Sequence, residues 1–291
     1  MKRTVQFFQP TVQGKLPTAM AMSKETMTIT FGDVAENNFG MQKLGKLAKE
    51  GLTLKELQDA KEKFEGNGYV CQLIHANSVL EDPVDKKEAP ACYILVVRDF
   101  LKETFGEDNK IIADAIYEEE AKLQWDKKAK MYGRVVDKHA RWNLCFGDEA
   151  QEPDYEGGKG RIIAWNQIPY LNHFRKMLPM YFGEKADGLV AEGNRYHDVN
   201  TCYIGYHHDR ERKIVMALRL GASLPLKFQW FKDGKTVGNE IKLIVNHGDL
   251  YAMSEKAVGW GFTNAKKINL KHAAGLDKNI KIKEKKVKTS K

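Results

Sequence analysis

Cysteine is scarce in this 291-residue chain, and long hydrophobic runs are missing. The four cysteines, at positions 71, 92, 145 and 202, form no Cys-x-x-Cys pair, so neither a zinc site nor a disulfide framework is expected. No stretch reaches the roughly 18 apolar residues of a membrane span, and the Gly-x-Ser-x-Gly motif of many serine hydrolases is absent. These absences predict a soluble intracellular protein of the cytoplasm or nucleus, with no membrane as a partner.

The positive charge of the chain is concentrated at its C-terminus. The formal net charge is +8, and residues 272–291 contain seven lysines against Asp277 and Glu284. A basic tail of this kind can bind the phosphates of DNA or RNA. The alternative is a solvated terminus without a partner, and the sequence favours neither.

Helical patterns dominate the first half of the chain. Thr53 and Glu56 have the spacing of a capping box, which marks the start of a helix. We expect helices over residues 41–50, 53–64 and 108–131, and strands over residues 68–74 and 91–97.

After residue 160 the patterns are mostly strand-like. Short segments rich in β-branched and aromatic residues are separated by Gly, Asn or Pro, a spacing that favours a double-sheet jelly roll. The expected segments are a helix over residues 168–182 and strands over residues 203–208, 213–220, 227–231, 241–245 and 249–253.

The fold class that we predict is α+β, with a double-stranded β-helix (jelly-roll) core and flanking helices that come largely from the N-terminal region. An acidic, glycine-rich segment separates the two halves and is typical of a surface loop or hinge. The expected division is a mixed α/β region that packs on the core (1–146), the acidic loop (147–160), the jelly-roll core (161–284) and a basic tail (285–291).

A His-x-Asp motif on one of the expected strands carries the chemistry. His207 and Asp209 are two residues apart, so on a strand their side chains point to the same side. Together they supply two-thirds of the 2-His-1-carboxylate triad, which binds Fe(II) and leaves open positions for oxygen and a co-substrate.

The third ligand has two candidates downstream, His247 and His272. His247 directly precedes a Gly-Asp-Leu sequence, which is typical of a tight turn. A ligand from a later, neighbouring strand closes a jelly-roll site more naturally than one on a turn. We therefore favour His272 and predict that His207, Asp209 and His272 form the catalytic metal site.

Five short elements, in this order, resemble the Fe(II)/2-oxoglutarate-dependent dioxygenases and within them the AlkB-like branch. The wider stretch is similar to a less-studied sub-branch found in large DNA viruses and microbial eukaryotes. The elements are Asn194-Arg195-Tyr196, Gly205-Tyr206-His207-His208-Asp209-Arg210-Glu211, Ala217-Leu218-Arg219-Leu220-Gly221, Gly248-Asp249-Leu250-Tyr251-Ala252-Met253 and Leu270-Lys271-His272.

The resemblance implies roles for residues on both sides of the metal motif. Asn194 and Tyr196 match an Asn-x-Tyr that binds the co-substrate, although a turn residue and a half-buried aromatic would look the same. Glu211 falls where the family places a carboxylate that accepts from the amine of a flipped base. Glu211 and its neighbour Arg210 are thus substrate-binding candidates, and an ordinary solvated charge cluster is the alternative.

The chain departs from the AlkB-like pattern after the distal histidine. That family places an Arg-x-Asn-x-Thr-x-Arg run there to bind the carboxylates of 2-oxoglutarate, but no arginine follows Arg219. Residues 279–283 alternate like a strand, so Lys281 and Lys283 would face the same side and are candidates to bind the distal carboxylate. Arg219 is the alternative.

Aromatic residues and one loop complete the candidates. Trp230 belongs to an aromatic set that could stack on a planar substrate or form the core. The aromatic set comprises Phe228, Trp230, Phe231, Tyr251, Trp260 and Phe262.

His208 is expected to point away from His207 and to pack elsewhere. Residues 28–42 are dense in Asn, Gly and acids, which fits either a substrate-binding loop or a turn with a helix cap.

The activity implied is that of a dioxygenase using Fe(II), 2-oxoglutarate and O2 to hydroxylate or oxidatively demethylate a substrate. The first hypothesis for the substrate is a nucleobase in nucleic acid. The second is a protein side chain or small metabolite with the same iron chemistry. The third is a jelly-roll binding module without catalysis, in which these residues are structural.

Overall fold

The fold is α+β, seen in a computed structural model that describes residues 24–103 and 109–282. Its helices are Leu54–Gly66 (α1), Pro83–Glu88 (α2), Phe100–Glu103 (α3), Asn109–Ala121 (α4), Pro169–Phe182 (α5) and Glu255–Val258 (α6). Its strands are Thr26–Gly32 (β1), Val34–Glu36 (β2), Lys43–Gly45 (β3), Cys71–His75 (β4), Tyr93–Val97 (β5), Lys128–Met131 (β6), Arg134–Asp137 (β7), Trp142–Gly147 (β8), Ile162–Ala164 (β9), Val190–Tyr196 (β10), Ile204–His207 (β11), Val215–Gly221 (β12), Leu224–Lys232 (β13), Lys235–Val245 (β14), Leu250–Met253 (β15) and Asn269–Ala274 (β16).

Two sheets make up most of the fold. The larger has the strand order β4-β5-β15-β12-β1-β10-β8-β9, and the smaller has the order β11-β16-β13-β14. All of these pairings are antiparallel except that of β8 with β9. Two further hairpins, β2–β3 and β6–β7, form small sheets of their own.

Strand β1 lies near the centre of the larger sheet, between β10 and β12. Its sequence alternates threonine with large apolar residues, so the two kinds of side chain point to opposite faces. Met27, Ile29 and Phe31 pack into the core beneath the helices. Thr28 and Thr30 face the space between the sheets, where the candidate site lies.

Helices α1, α3, α4 and α5 cover the outer face of the larger sheet. Helix α1 begins with the expected capping box, in which Thr53 and Glu56 exchange side-chain and backbone hydrogen bonds. Its Phe64 ring stacks on Tyr181 of α5 at 3.9 Å between centroids. These contacts hold the outer layer rigidly against the sheet whose inner face carries the site.

A second core fills the space between the sheets at the end formed by β5, β15 and β13. Trp230 is fully buried there, and its indole N–H donates to the carbonyl of Ala76 at 2.9 Å. The structure therefore corrects the prediction that Trp230 binds substrate, because its ring is enclosed by core residues. Its place follows from the strand alternation of β13, which buries Leu226, Phe228 and Trp230 together.

Two predicted helices are corrected. Residues 41–50 form β3 and irregular chain, because β3 pairs with β2 and Gly45, at φ 80°, packs against the carbonyl of Asp33. The helix expected over 108–131 is α4, which ends at Ala121, and residues 128–131 are strand β6. Tertiary pairing outweighs helix propensity in both segments.

The acidic segment 147–160 does not divide the larger sheet. Strands β1, β4, β5 and β8 precede it and β9, β10, β12 and β15 follow it, and all share that sheet. The N-terminal half thus contributes strands to the same layer as the second half. The predicted tail, 285–291, lies outside the described residues.

Within residues 24–103 and 109–282, no helix is both long enough and apolar enough to cross a membrane.

Candidate functional site

The site begins at the pairing of β11 with β16, which places His207 directly opposite His272. Between the pairs Ile204–Ala274 and His207–His272, β11 contains one residue more than β16, so the register shifts at a β-bulge. The two imidazole rings meet at 4.3 Å between centroids. Both lie on the inner side of the smaller sheet, facing the larger one.

Asp209 completes a cluster with these two histidines. Its Oδ1 atom lies 3.3 Å from Nε2 of His207 and 3.4 Å from Nε2 of His272. One ligand atom from each of the three residues lies within 4.8 Å of the others, so together they could hold a metal ion. The backbone N–H of Asp209 donates to the carbonyl of Val258, which fixes the chain as it leaves β11.

The orientation of the side chains suits a divalent cation. Nδ1 of His207 lies 2.8 Å from the carbonyl of Gly205, so a proton on Nδ1 donates there, and Nε2 is the ring nitrogen next to Asp209. Burial, followed by the neighbouring His207, lowers the pKa of His272 and favours its neutral ring. Burial raises the pKa of Asp209, but the two imidazoles and Arg212 outweigh it and hold that pKa well below its usual range.

A buried arginine lies directly behind Asp209. Arg212 contacts the carboxylates of Glu192 and Glu211, and its Nε lies 3.8 Å from Oδ2 of Asp209. Three carboxylates thus surround one guanidinium. Burial, together with Asp209 and Glu192, raises the pKa of Glu211, the direction expected where acidic groups outnumber the positive charge. A divalent cation beside Asp209 would offset this excess of acidic groups.

A cavity between the sheets opens onto the cluster. Alternate residues of β1 and β10, in the larger sheet, form the polar side of the cavity. Residues of β12 and β15 in the larger sheet and of β13 in the smaller sheet form its apolar side. Besides the three clustered residues and Arg212, its lining includes Thr28, Thr30, Glu192, Asn194, Tyr196, Ile204, Val215, Leu226, Tyr251, Met253, Ala273 and Ala274.

Arg219 is the most unusual residue next to this cavity. It is fully buried on β12, opposite Thr28 of β1, and its side chain shares the inner face with Val215 and Ala217. All three guanidinium nitrogens, and the hydroxyl of Thr28, are without a hydrogen-bond partner among the described residues. Burial lowers the pKa of Arg219, and the neighbouring Tyr251 and Tyr196 partly offset this.

A comparison with curated proteins relates the chain to the uncharacterized protein R156 of Acanthamoeba polyphaga mimivirus. The two are 42% identical over 262 residues, which cover 90% of this chain and all of the viral protein. The chain belongs to the family of this mimivirus protein. No protein-family model matches the chain.

The structure of this member of the mimivirus protein's family shows which of the two candidate histidines lies beside His207 and Asp209. His272 lies in the cluster, whereas His247 lies on the turn between β14 and β15. There its Nδ1 accepts from the backbone N–H of Gly221 and its Nε2 lies 3.2 Å from Asp114. His208 points away from the cluster and packs against Gly259, where an added Cβ would lie 2.7 Å from that of His208.

Several predicted binding residues lie elsewhere than expected. Glu211 accepts from Arg212 and is largely buried, while Arg210 is exposed. The strand expected over residues 279–283 does not form over 279–282, where the chain is turn and coil. Lys281 is exposed and does not line the cavity, and Lys283 lies outside the described residues.

Asn194 and Tyr196 do line the cavity, as alternate residues of β10. Asn194 accepts from Nε of Arg141 and from the amide of Asn143. Sequence reasoning missed Glu192 and Arg212, and it named Thr28 only within a loop expected over residues 28–42, of which residues 28–32 belong to β1. The alternation of threonine with Met, Ile and Phe in residues 26–31 was the available signal for β1.

A histidine substitution tests which residues bind metal. We expect His272→Ala to abolish saturable Co(II) binding, because it removes one of three ligands, and His247→Ala to bind Co(II) like the wild type. Absorption titration measures both, with thermal unfolding of the metal-free proteins as the control for folding. Loss of binding in His247→Ala with retention in His272→Ala would contradict the assignment.

Proposed function

We propose that this protein is an Fe(II)- and 2-oxoglutarate-dependent dioxygenase that hydroxylates or oxidatively demethylates its substrate. The observation that carries the proposal is the convergence of His207, Asp209 and His272, two imidazoles and one carboxylate on β11, the chain directly after it and β16. This donor set is that of non-haem Fe(II) oxygenases. Iron bound there with 2-oxoglutarate would supply oxygen activation.

We infer further that the core is a double-stranded β-helix. From β10 to β16 the chain alternates between the sheets, apart from the β13–β14 hairpin within the smaller one. A further crossing after β16 would return to the larger sheet, and the gap between β10 and β12 is there taken by β1. This arrangement supports a jelly roll in which an N-terminal strand replaces the strand expected after His272.

The substituted strand accounts for the missing arginine run after His272. In AlkB-like enzymes that run binds the carboxylates of 2-oxoglutarate, and here the corresponding position in the sheet belongs to β1. Arg219 and Thr28, on neighbouring strands, instead present unpartnered buried donors beside the cavity. A carboxylate is the group that satisfies such a guanidinium best.

We therefore assign the distal carboxylate of 2-oxoglutarate to Arg219, with Thr28 and Tyr196 beside it. Asn194, held by Arg141 and Asn143, is oriented toward the same cavity. The lowered pKa of Asp209 favours its carboxylate and the lowered pKa of His272 favours its neutral ring, the forms in which these side chains bind a metal.

A nucleobase in nucleic acid is the substrate that we propose. The β6–β7 hairpin carries exposed Lys127, Lys128 and Arg134, and Tyr132 at its tip is 95% exposed. Its base leads into Arg141, which contacts Asn194 of the cavity. Cations beside an exposed aromatic ring suit a single strand with unstacked bases. Glu211, which is bonded to Arg212, has no part in this proposal.

The anchor of 2-oxoglutarate can be tested by binding. We expect Arg219→Gln to weaken 2-oxoglutarate binding to the Mn(II)-loaded protein by roughly 10- to 100-fold, the loss of a charged hydrogen bond. Arg219→Lys should retain part of the affinity. Lys281→Gln should bind like the wild type. Calorimetry measures all three, and a loss in Lys281→Gln alone would restore the C-terminal lysine as the anchor.

The substrate class can be tested by succinate release from 2-oxoglutarate over methylated oligonucleotides, peptides and amino acids. We expect turnover with an oligonucleotide and binding that weakens steeply with salt. The Lys128→Gln/Arg134→Gln pair should lower the salt slope by about two, since each phosphate contact contributes about one. The Lys86→Gln/Lys87→Gln pair on α2 removes the same charge and should leave the slope unchanged.

Turnover with a peptide or amino acid would favour the second substrate hypothesis. Absence of succinate with every substrate, together with absence of metal binding, would favour a binding module without catalysis.

A further inference from the structure

Arg212 is buried in the most acidic part of the site. It follows Asp209 by three residues, precedes β12, and its side chain is 5% exposed. Its guanidinium contacts Glu211 of the same segment and Glu192 of β10. One arginine thus ties the loop that carries a candidate ligand to the larger sheet.

The two oxygens of Asp209 have different surroundings. Oδ1 lies 3.3 and 3.4 Å from the Nε2 atoms of His207 and His272. Oδ2 faces the other way, 3.8 Å from Nε of Arg212. Oδ2 is thus close enough to Arg212 for an ionic interaction but beyond hydrogen-bond distance, because the Nε–H group donates to Glu211.

The chain directly after Arg212 is packed tightly against the end of β1. At Gly32 an added Cβ would lie 2.7 Å from the carbonyl of Ile214, so no side chain fits there. Asp33 accepts from the backbone N–H groups of Lys213 and Ile214. These contacts fix the backbone on the C-terminal side of Arg212.

We propose that Arg212 is a positioning residue: by binding Glu192 of β10 and Glu211 of its own segment, it fixes the loop that carries Asp209, so that Oδ1 faces the two Nε2 atoms. Glu192 and Glu211 fix the planar guanidinium in the orientation this requires. The inference rests on the proposed function, because it gives Arg212 its role through a metal-binding Asp209. Residues that orient metal ligands in this way affect metal affinity without touching the metal.

Two effects of Arg212 on a bound cation oppose each other. Its positive charge repels the cation, so a role through charge alone predicts tighter metal binding when the charge is removed. Its fork binds Glu192 and Glu211 and so fixes the loop that carries Asp209; a positioning role therefore predicts weaker binding when the fork is lost. Arg212→Lys separates the two effects, because lysine keeps the charge as a point and loses the fork.

The experiment is a Co(II) titration of the full-length protein, followed by visible absorption. We expect Arg212→Lys to raise the Kd for Co(II) by roughly 10- to 100-fold, and Arg212→Gln to raise it further. Arg175→Lys is the matched control: Arg175 is a half-buried arginine on α5 that donates to the carbonyl of Leu189, and its variant should bind like the wild type.

Folding is monitored by thermal unfolding of the metal-free proteins. If the Arg212 variants do not fold, Glu192→Asp gives a second test, since it keeps the charge but withdraws the carboxylate from Arg212. A several-fold weaker Co(II) affinity in that variant supports the positioning role, and an unchanged affinity overturns it.

The remaining outcomes distinguish failure of the positioning role from failure of the proposed function. Wild-type Co(II) binding with an unchanged Kd in Arg212→Lys, or a lower Kd in Arg212→Gln, overturns the positioning role and leaves the proposed function standing. A wild-type protein that binds no Co(II) contradicts the proposed function itself, and the positioning role with it.

Discussion

The register between β11 and β16 is the constraint on which the site depends. It places His207 opposite His272, and because side chains alternate along a strand, a shift by one residue would turn His207 toward solvent. The bulge before His207 sets this register, and the Gly205 carbonyl within it accepts from the same imidazole. Backbone pairing therefore decides both where the ring points and which nitrogen stays available.

The remaining features serve to keep that pair facing the larger sheet. The apolar core around Trp230 joins the sheets at one end, and the polar faces of β1 and β10 leave a cavity at the other. Placing β1 between β10 and β12 brings Thr28 beside Arg219, a contact between residues 191 positions apart in sequence. Unpartnered buried donors thereby come to the cavity from outside the C-terminal segment.

Local patterns predicted part of this arrangement. The spacing of His207 and Asp209 predicted two ligands on one side, and the two do meet, although β11 ends at His207 and Asp209 lies in the chain just beyond it. The capping box at Thr53 depends on neighbouring residues alone. His272 could be chosen over His247 because a Gly-Asp-Leu sequence favours a turn. The burial of Arg212 and Glu211 could not be predicted from the local sequence, where they resemble solvated surface charges. It depends on Glu192, which β10 places beside Arg212. The prediction of a helix over residues 41–50 was wrong for the same reason, because the pairing of β3 with β2 determines the conformation of that segment.

The most direct test of an oxygen-activating iron site is the visible spectrum of the protein with Fe(II) and 2-oxoglutarate in the absence of oxygen. We expect a weak charge-transfer band in the wild-type protein, because 2-oxoglutarate bound to Fe(II) absorbs in this way. The band should be missing from His207→Ala and Asp209→Ala. A wild-type protein without the band, or variants that retain it, would contradict the account.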